Sequence, residues 1–359
     1  MGRPPSAEQV AQLEAQAEGA RRAAECVGDF LTQDLTYAAA ATIESMARYQ
    51  KRRLNADKQA VLVLPDNAST NEMREARLRR AVRRGEDVFL PSWRDAAVGI
   101  PNLFLRSALF AAAEVSSKPL MNAEIASRGD ASITMTGHPL GDYDRRVFAA
   151  CLDYYRGDRP LDSCDQPRWV KVTFWQLAKD LQVAYGANVH RAIRDSLIRL
   201  NAAHLRIRVK SVDIPMPRLM DVVFDDGYKG ADTPDRLLRG SDLISFRVQE
   251  TMANLFGPED WSAVSKAALN DQSGLPSWLA AFYSSHAEPY AVKIADLYRF
   301  SGVVCDTREF RRRLKRALGR LQADDVPPEI RVASFEFSEE RVTVALARWT
   351  SDTALTGIE

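Results

Sequence analysis

"CDTREFRRRLKRALGRL", from Cys305 to Leu321, places seven basic side chains and one acid, Glu309, between Arg308 and Arg320. At about 100° per residue, Phe310, Leu314, Ala317, Leu318 and Leu321 fall on one stripe of a helix. Arg308, Arg312, Lys315 and Arg316 fall on the opposite side with Gly319, and Arg311, Arg313 and Arg320 lie at the edges. Asp306 or Thr307 supplies the N-cap, and Asp306 with Glu309 has capping-box spacing. The pattern predicts a helix that is apolar inward and cationic outward. Few acids stand within one turn to offset the charges, so they repel one another until an anion arrives. The DNA backbone is such an anion, and an arginine fork also fits the O6 and N7 acceptors of guanine.

The same spacing occurs once more upstream. A shift of about 121 residues sets Val189 on Phe310, Ile193 on Leu314, Leu197 on Leu318 and Leu200 on Leu321. In that earlier helix, "NVHRAIRDSLIRLN", Arg191, Arg194 and Ile198 face outward with Asn201 beside them. Each helix follows a similar entry, "WVKVTFWQLAKDL" upstream and "AVKIADLYRFSG" downstream. Each is followed by alternating apolar segments that predict strands: "LRIRVKSV" paired with "RLMDVVF" in the first copy, "IRVASFEF" with "RVTVALARW" in the second. "LISFRV" (Leu243–Val248) is a further strand, and "YKGADTPDRLLRGSD" is an exposed loop. Helix, turn, helix and hairpin make a winged helix, so the order predicts two of them in tandem. Arg206, Arg208 and Lys210 of the first hairpin, and Arg331 and Arg341 of the second, are then placed to reach phosphates. A basic helix taken alone is often only a solvated face; two in equivalent positions make a DNA-binding reading the stronger one.

The predicted fold is therefore α+β: a mainly helical extension over residues 1–88, a first winged-helix domain over 89–265, a second over 266–350, and a tail at 351–359. The extension is Ala-rich from Ser6 to Leu54, and a second helical run, "NEMREARLRRAVRRG", ends at Gly85. Ahead of the first repeat, "ITMTG" (Ile133–Gly137) alternates as a strand, and Asp142 or Asp144 caps the helix "RRVFAACLDYYRG". "PSWLAAFYSSH" is a helix before the second repeat.

Bulk properties narrow the alternatives. The 359 residues carry 49 Lys and Arg against 48 Asp and Glu, so only the distribution of charge argues for nucleic acid. No apolar run approaches membrane-spanning length, and the start lacks a secretory core. Cys26, Cys151, Cys164 and Cys305 are too scattered for a zinc knuckle and fit free thiols in a reducing cytoplasm. No P-loop, nucleophile elbow or zinc-binding histidine motif is present, so no enzyme activity, metal or cofactor is expected. Tyr154-Tyr155 reads as core packing and Asp225-Asp226 as a polar turn, not as a nucleophile or a Mg²⁺ site.

Several of these segments resemble one family, the TrfA-type plasmid replication initiators. "LPSW" with "PNLFLRSALF", "ITMTG", "VTFWQLAKDL" and above all "FYSSHAEPYAVKIADLYRFSG" (Phe282–Gly302) carry the resemblance, which extends from Leu90 to Trp349. It implies two winged-helix domains, binding to iterons (short direct repeats in a plasmid origin), and melting of adjacent AT-rich DNA. It further implies recruitment of the host replicative helicase, often beside the host initiator DnaA, and an equilibrium between monomers that bind iterons and dimers that restrain copy number. By position, Arg308 to Arg320 would lie on the second recognition helix, and Arg191, Arg194 and Ile198 on the first. The family's sliding-clamp motif has no full counterpart, since "GEDVFL" (Gly85–Leu90) retains at best Asp87-Val88-Phe89 as a remnant. A winged-helix transcriptional repressor or partition protein is the alternative, and would favour a palindrome over direct repeats.

Overall fold

The computed structural model describes residues 7–25, 40, 43, 46–47 and 88–348, apart from 114–117, 130, 157–158, 162–168, 210–211, 217, 258 and 289. Lys210, the basic run at 71–85, the clamp-motif remnant at 87 and the tail at 351–359 lie outside the described residues. Of the N-terminal extension, α1 (Ala7–Glu25) is helical as expected.

From β1 (Ala97–Pro101) the chain runs through the short helix α2 (Asn102–Leu105), β2 (Phe110–Ala111), β3 (Leu120–Ile125), β4 (Ala131–Gly137) and β5 (Leu140–Gly141) into α3 (Asp142–Asp153). Then follow β6 (Val170–Thr173), α4 (Phe174–Asp180), α5 (Ala187–Ala202), β7 (His204–Val209), β8 (Val212–Met216), β9 (Met220–Asp225) and β10 (Leu243–Val248). β11 (Trp261–Ser265), α6 (Lys266–Asn270) and α7 (Gly274–Ser284) lead to β12 (Ala291–Lys293), α8 (Ile294–Ser301), α9 (Thr307–Leu321), β13 (Val332–Phe337) and β14 (Arg341–Leu346).

Two units share one topology. In the first, β6, α4 and α5 precede a sheet of order β6-β10-β9; in the second, β12, α8 and α9 precede a sheet of order β12-β14-β13. The registers correspond, with Leu243 opposite Thr173 in one unit and Arg341 opposite Lys293 in the other. Apolar stripes at equivalent spacing explain the correspondence. Ile193, Leu197 and Leu200 are buried in the first unit and Phe310, Leu314, Leu318 and Leu321 in the second.

The expected first hairpin is corrected. β7 does not pair with β9. It lies between β4 and β8 in a separate four-stranded sheet, β3-β4-β7-β8, and β9 pairs with β10. Arg206 and Arg208 therefore stand on the outer face of that added sheet and not on a wing, while Leu205 and Ile207 face its core side. The physical reason is that period-two alternation sets which face of a strand is buried and leaves its partner open. Here "ITMTG" supplies one neighbour, with Met135 opposite Leu205, and β8 supplies the other, with Ile214 opposite Ile207. The cap of α3 is also corrected. Gly141 is the N-cap, and Asp144 at N3 accepts the Gly141 N–H at 2.9 Å. The helix stops at Asp153, short of Tyr154-Tyr155.

The two halves share one continuous hydrophobic core. β11 returns from the end of the first half to pair antiparallel with β1. At the same seam the buried Arg145, paired with Asp142 one turn back on α3, donates across to Ser277 Oγ at 2.6 Å, while Asp142 accepts the Gly274 N–H at 3.2 Å. Gly302, which ends α8 with φ +64°, sits so close to the first half that a Cβ there would lie 2.9 Å from Ala111 Cβ.

Candidate nucleic-acid interface

α9 is built as its sequence predicts. Asp306 is the N-cap, its carboxylate accepting the Glu309 N–H at 2.8 Å. The capping box is only half made, because the Glu309 side chain turns to the arginines instead of back to the cap. The Tyr298 hydroxyl donates to Cys305 O at 2.6 Å, fixing the turn between α8 and α9, and its ring packs edge-on against Phe310. Phe310, Leu314, Leu318 and Leu321 are fully buried. At about 1.5–3 kcal/mol per large apolar side chain, this burial far outweighs the roughly 0.2–0.5 kcal/mol that each like-charged neighbour pair costs. The helix therefore holds a self-repelling face toward solvent.

That face is not uniform. Glu309 accepts from Arg312 Nε at 2.7 Å and from Arg313 Nε at 2.8 Å. The Arg312 hydrogen bond, then that of Arg313, holds its carboxyl down at about 2. Arg320 forms a two-pronged pair with Asp325 at 2.7 and 2.9 Å. Arg311 is tied to the turn between β13 and β14: it donates to Glu339 O at 2.6 Å and Ser338 O at 2.8 Å, its guanidinium 5.4 Å from the Phe337 ring centre. Arg308, Lys315 and Arg316 are exposed and have no ion-pair or hydrogen-bond partner among the described residues.

The second hairpin places its two predicted basic residues apart. Arg341 opens β14 beside the turn Ser338–Glu340, directly opposite Lys293. Arg331 lies at the far end, just before β13, 3.9 Å from Asp324. Glu339 and Glu340 occupy the turn, an acidic tip the basic pattern did not anticipate.

The equivalent helix of the first unit, α5, is largely neutralised by its own fold. Residues 226–242, between β9 and β10, lie against it. Arg191 donates to Thr233 O at 3.0 Å and to Asp235 at 2.5 Å. Arg194 donates to Asp226 at 2.9 Å, its guanidinium 4.2 and 4.4 Å from the ring centres of Phe224 and Tyr228. Asp226 also lies 3.5 Å from the buried His190, which stacks on Phe174 and meets the Tyr185 hydroxyl at 3.0 Å. Burial pulls the His190 pKa down, against the opposing pull of Asp226. Asp226 is thus an ion-pair anchor. Ile198 is exposed, and Asn201 donates to Met220 O at 3.1 Å. Arg206 pairs with Asp213 on the added sheet, and Arg208 is exposed beside it. Tyr228–Asp242 was legible as an exposed loop and Asp225-Asp226 as a polar turn, but no pattern linked their carboxylates to Arg191 and Arg194.

No helix among the described residues is long and apolar enough to cross a membrane. A family model described as TrfA protein matches residues 86–326, a span that includes both α5 and α9. Among solved structures, the chain is similar to domains 2 and 3 of RctB. One such structure is 15% identical, with a TM-score of 0.44, covering 67% of this chain and 95% of that one. A second is 12% identical, with a TM-score of 0.42, covering 66% and 93%. No curated protein matches the sequence.

Proposed function

Because the chain belongs to the TrfA family of plasmid replication initiators, we propose that it binds iterons, direct repeats of double-stranded DNA at a plasmid origin, through two tandem winged helices. The observation that carries this reading is the bare cationic face of α9, where Arg308, Lys315 and Arg316 are exposed without a carboxylate partner among the described residues. α9 enters the major groove. There Arg308, Arg312, Lys315 and Arg316 divide between base edges and phosphates, while Arg341 meets the flanking backbone. Arg311 acts through the wing that it holds, and Arg331 at most touches the periphery. In the first unit Ile198 remains available for an apolar base contact, whereas Arg191 and Arg194 must first leave Asp235 and Asp226. The second unit accordingly supplies more of the electrostatic affinity.

Binding free energy, without nucleotide hydrolysis, promotes melting of adjoining AT-rich DNA, and the bound initiator recruits the host replicative helicase together with DnaA. Monomers bind the repeats and dimers restrain them. The site of action is the plasmid in the bacterial cytoplasm.

The test is fluorescence anisotropy of the full chain against fragments of its own replicon across a salt series. Tight binding confined to a fragment bearing direct repeats is expected. Preference for a single palindrome would replace the initiator reading with a repressor. Equal, steeply salt-dependent binding to every fragment would remove sequence recognition altogether.

A further inference from the structure

At the seam between the halves, two arginines of the first half grip the end of α7 in the second. Arg106 Nε donates to Ser285 Oγ at 2.8 Å, and its Nη2 donates to Ser285 O. Arg128 Nη1 meets His286 Nε2 at 2.9 Å and donates to the Tyr290 hydroxyl, the guanidinium lying 4.9 Å from the Tyr290 ring centre. Arg106 caps the end of α2 and Arg128 lies in the bend after Ser127, next to the isolated Ser107–Ser127 bridge, with Arg128 N–H donating to Arg106 O at 3.2 Å. Every acceptor here is neutral. His286 Nδ1 faces Phe282 O at 2.9 Å, which leaves Nε2 as an acceptor, and burial, then the charge of Arg106, hold its pKa at about 3.

Neither arginine has a carboxylate partner among the described residues. The end of α7 offers only about half a negative charge against these two and Arg348, whose Nη2 donates to Tyr283 O at 3.3 Å and to Ser284 O and His286 O at 3.4 Å. Arg106 Nη1 and Arg128 Nε and Nη2 make no hydrogen bond among the described residues, so donors remain on both guanidinium groups. The positive charge continues along the second unit. Arg341 Nη1 donates to Ala291 O, next to Tyr290, at 3.3 Å, and Arg341 stands directly opposite Lys293. Directly opposed like charges on a sheet are destabilising, and Lys293 likewise lacks an acidic partner among the described residues.

We propose that Arg106 and Arg128 form a phosphate-binding fork at the seam, continuous with Lys293 and Arg341, through which the first half holds the sugar-phosphate backbone of the duplex read by α9. A single free phosphate needs one fork. A strip from the seam to the second wing suits a polyanion with successive phosphates. The proposal rests on the DNA-binding reading above.

The experiment compares wild type, Arg128→Gln, Arg106→Gln and Ser285→Ala in the full chain, using anisotropy with repeat-bearing and unrelated duplexes between 50 and 200 mM salt. Each arginine loss is expected to flatten the salt slope by about 0.9 and to weaken both duplexes alike, leaving their ratio unchanged. Ser285→Ala keeps both charges and is expected to keep the slope. An unchanged slope in both arginine variants overturns the fork while leaving the initiator reading intact. Failure of the wild type to bind either duplex overturns the initiator reading itself. Thermal melts identify any variant that does not fold, and Arg128→Lys then serves instead: a retained slope with several-fold weaker affinity supports a two-pronged phosphate contact, and unchanged affinity rejects it. A rise in wild-type melting temperature with inorganic phosphate over chloride at matched ionic strength, with no slope change in the variants, identifies a free-anion site and rejects the backbone contact.

Discussion

Replacing Arg308, Lys315 and Arg316 together by Ala tests the electrostatic role of α9 most directly. All three are exposed and unpaired among the described residues, so their removal opens no cavity and orphans no carboxylate. Native stability is therefore expected to change by less than about 0.5 kcal/mol, the usual range for surface positions. DNA affinity responds differently. A phosphate neutralised by one cation contributes roughly 0.9 to the slope of log K against log salt. A fourfold rise in salt thus weakens binding about 3.5-fold per contact, and roughly 40-fold for three. Anisotropy titrations at 50, 100 and 200 mM salt are expected to show a slope shallower by up to about 2.7 in the triple variant, less wherever one of the three reads a base. Arg311→Ala provides the contrast, because its guanidinium is committed to the turn between β13 and β14. A triple variant whose slope stays within about 0.5 of wild type refutes the assignment of α9 as the DNA-facing helix.

Arg311→Ala removes two hydrogen bonds to the Ser338 and Glu339 carbonyls, and urea denaturation should show a loss of about 1–2 kcal/mol that the triple variant lacks. Asp226→Ala leaves Arg194 without its buried carboxylate, with an expected cost of about 3–5 kcal/mol that the double change with Arg194→Met largely restores. Asp235→Ala releases Arg191 from the loop, so non-specific DNA binding should tighten and its salt slope steepen by up to about 0.9; an unchanged slope places Arg191 away from DNA. His286 has a native pKa of about 3, lowered by burial, against an ordinary value near 6.5. The unfolded chain takes up the proton first, so this histidine's contribution is complete above about pH 6.5 and declines as pH falls toward 3. After allowance for its partial exposure, about 1 kcal/mol is expected to disappear between pH 7 and pH 5, and a His286→Gln variant should lack that share of the decline in urea midpoints.

Much of the second unit was legible from residue order alone. The stripe Phe310, Leu314, Ala317, Leu318 and Leu321, the Asp306 cap and the alternation of β13 and β14 are local patterns, and each settles which side of an element leaves water. The recurrence of that stripe about 121 residues upstream located α5 by the same physics. Only tertiary structure decided which strands pair and which charges remain bare. β7 and β9 alternate equally well, yet one joins an added sheet and the other pairs with β10 across residues 226–242. Arg191 and Arg194 carry the same charge as Arg308 and Arg316, but Asp235 and Asp226 reach the first pair, while no carboxylate among the described residues reaches the second. Arg106 and Arg128 had no pattern to mark them, since they gather only where the two halves pack. Periodicity acts over neighbouring turns and pleats, whereas strand partnership and charge neutralisation depend on through-space distances between residues far apart in the chain.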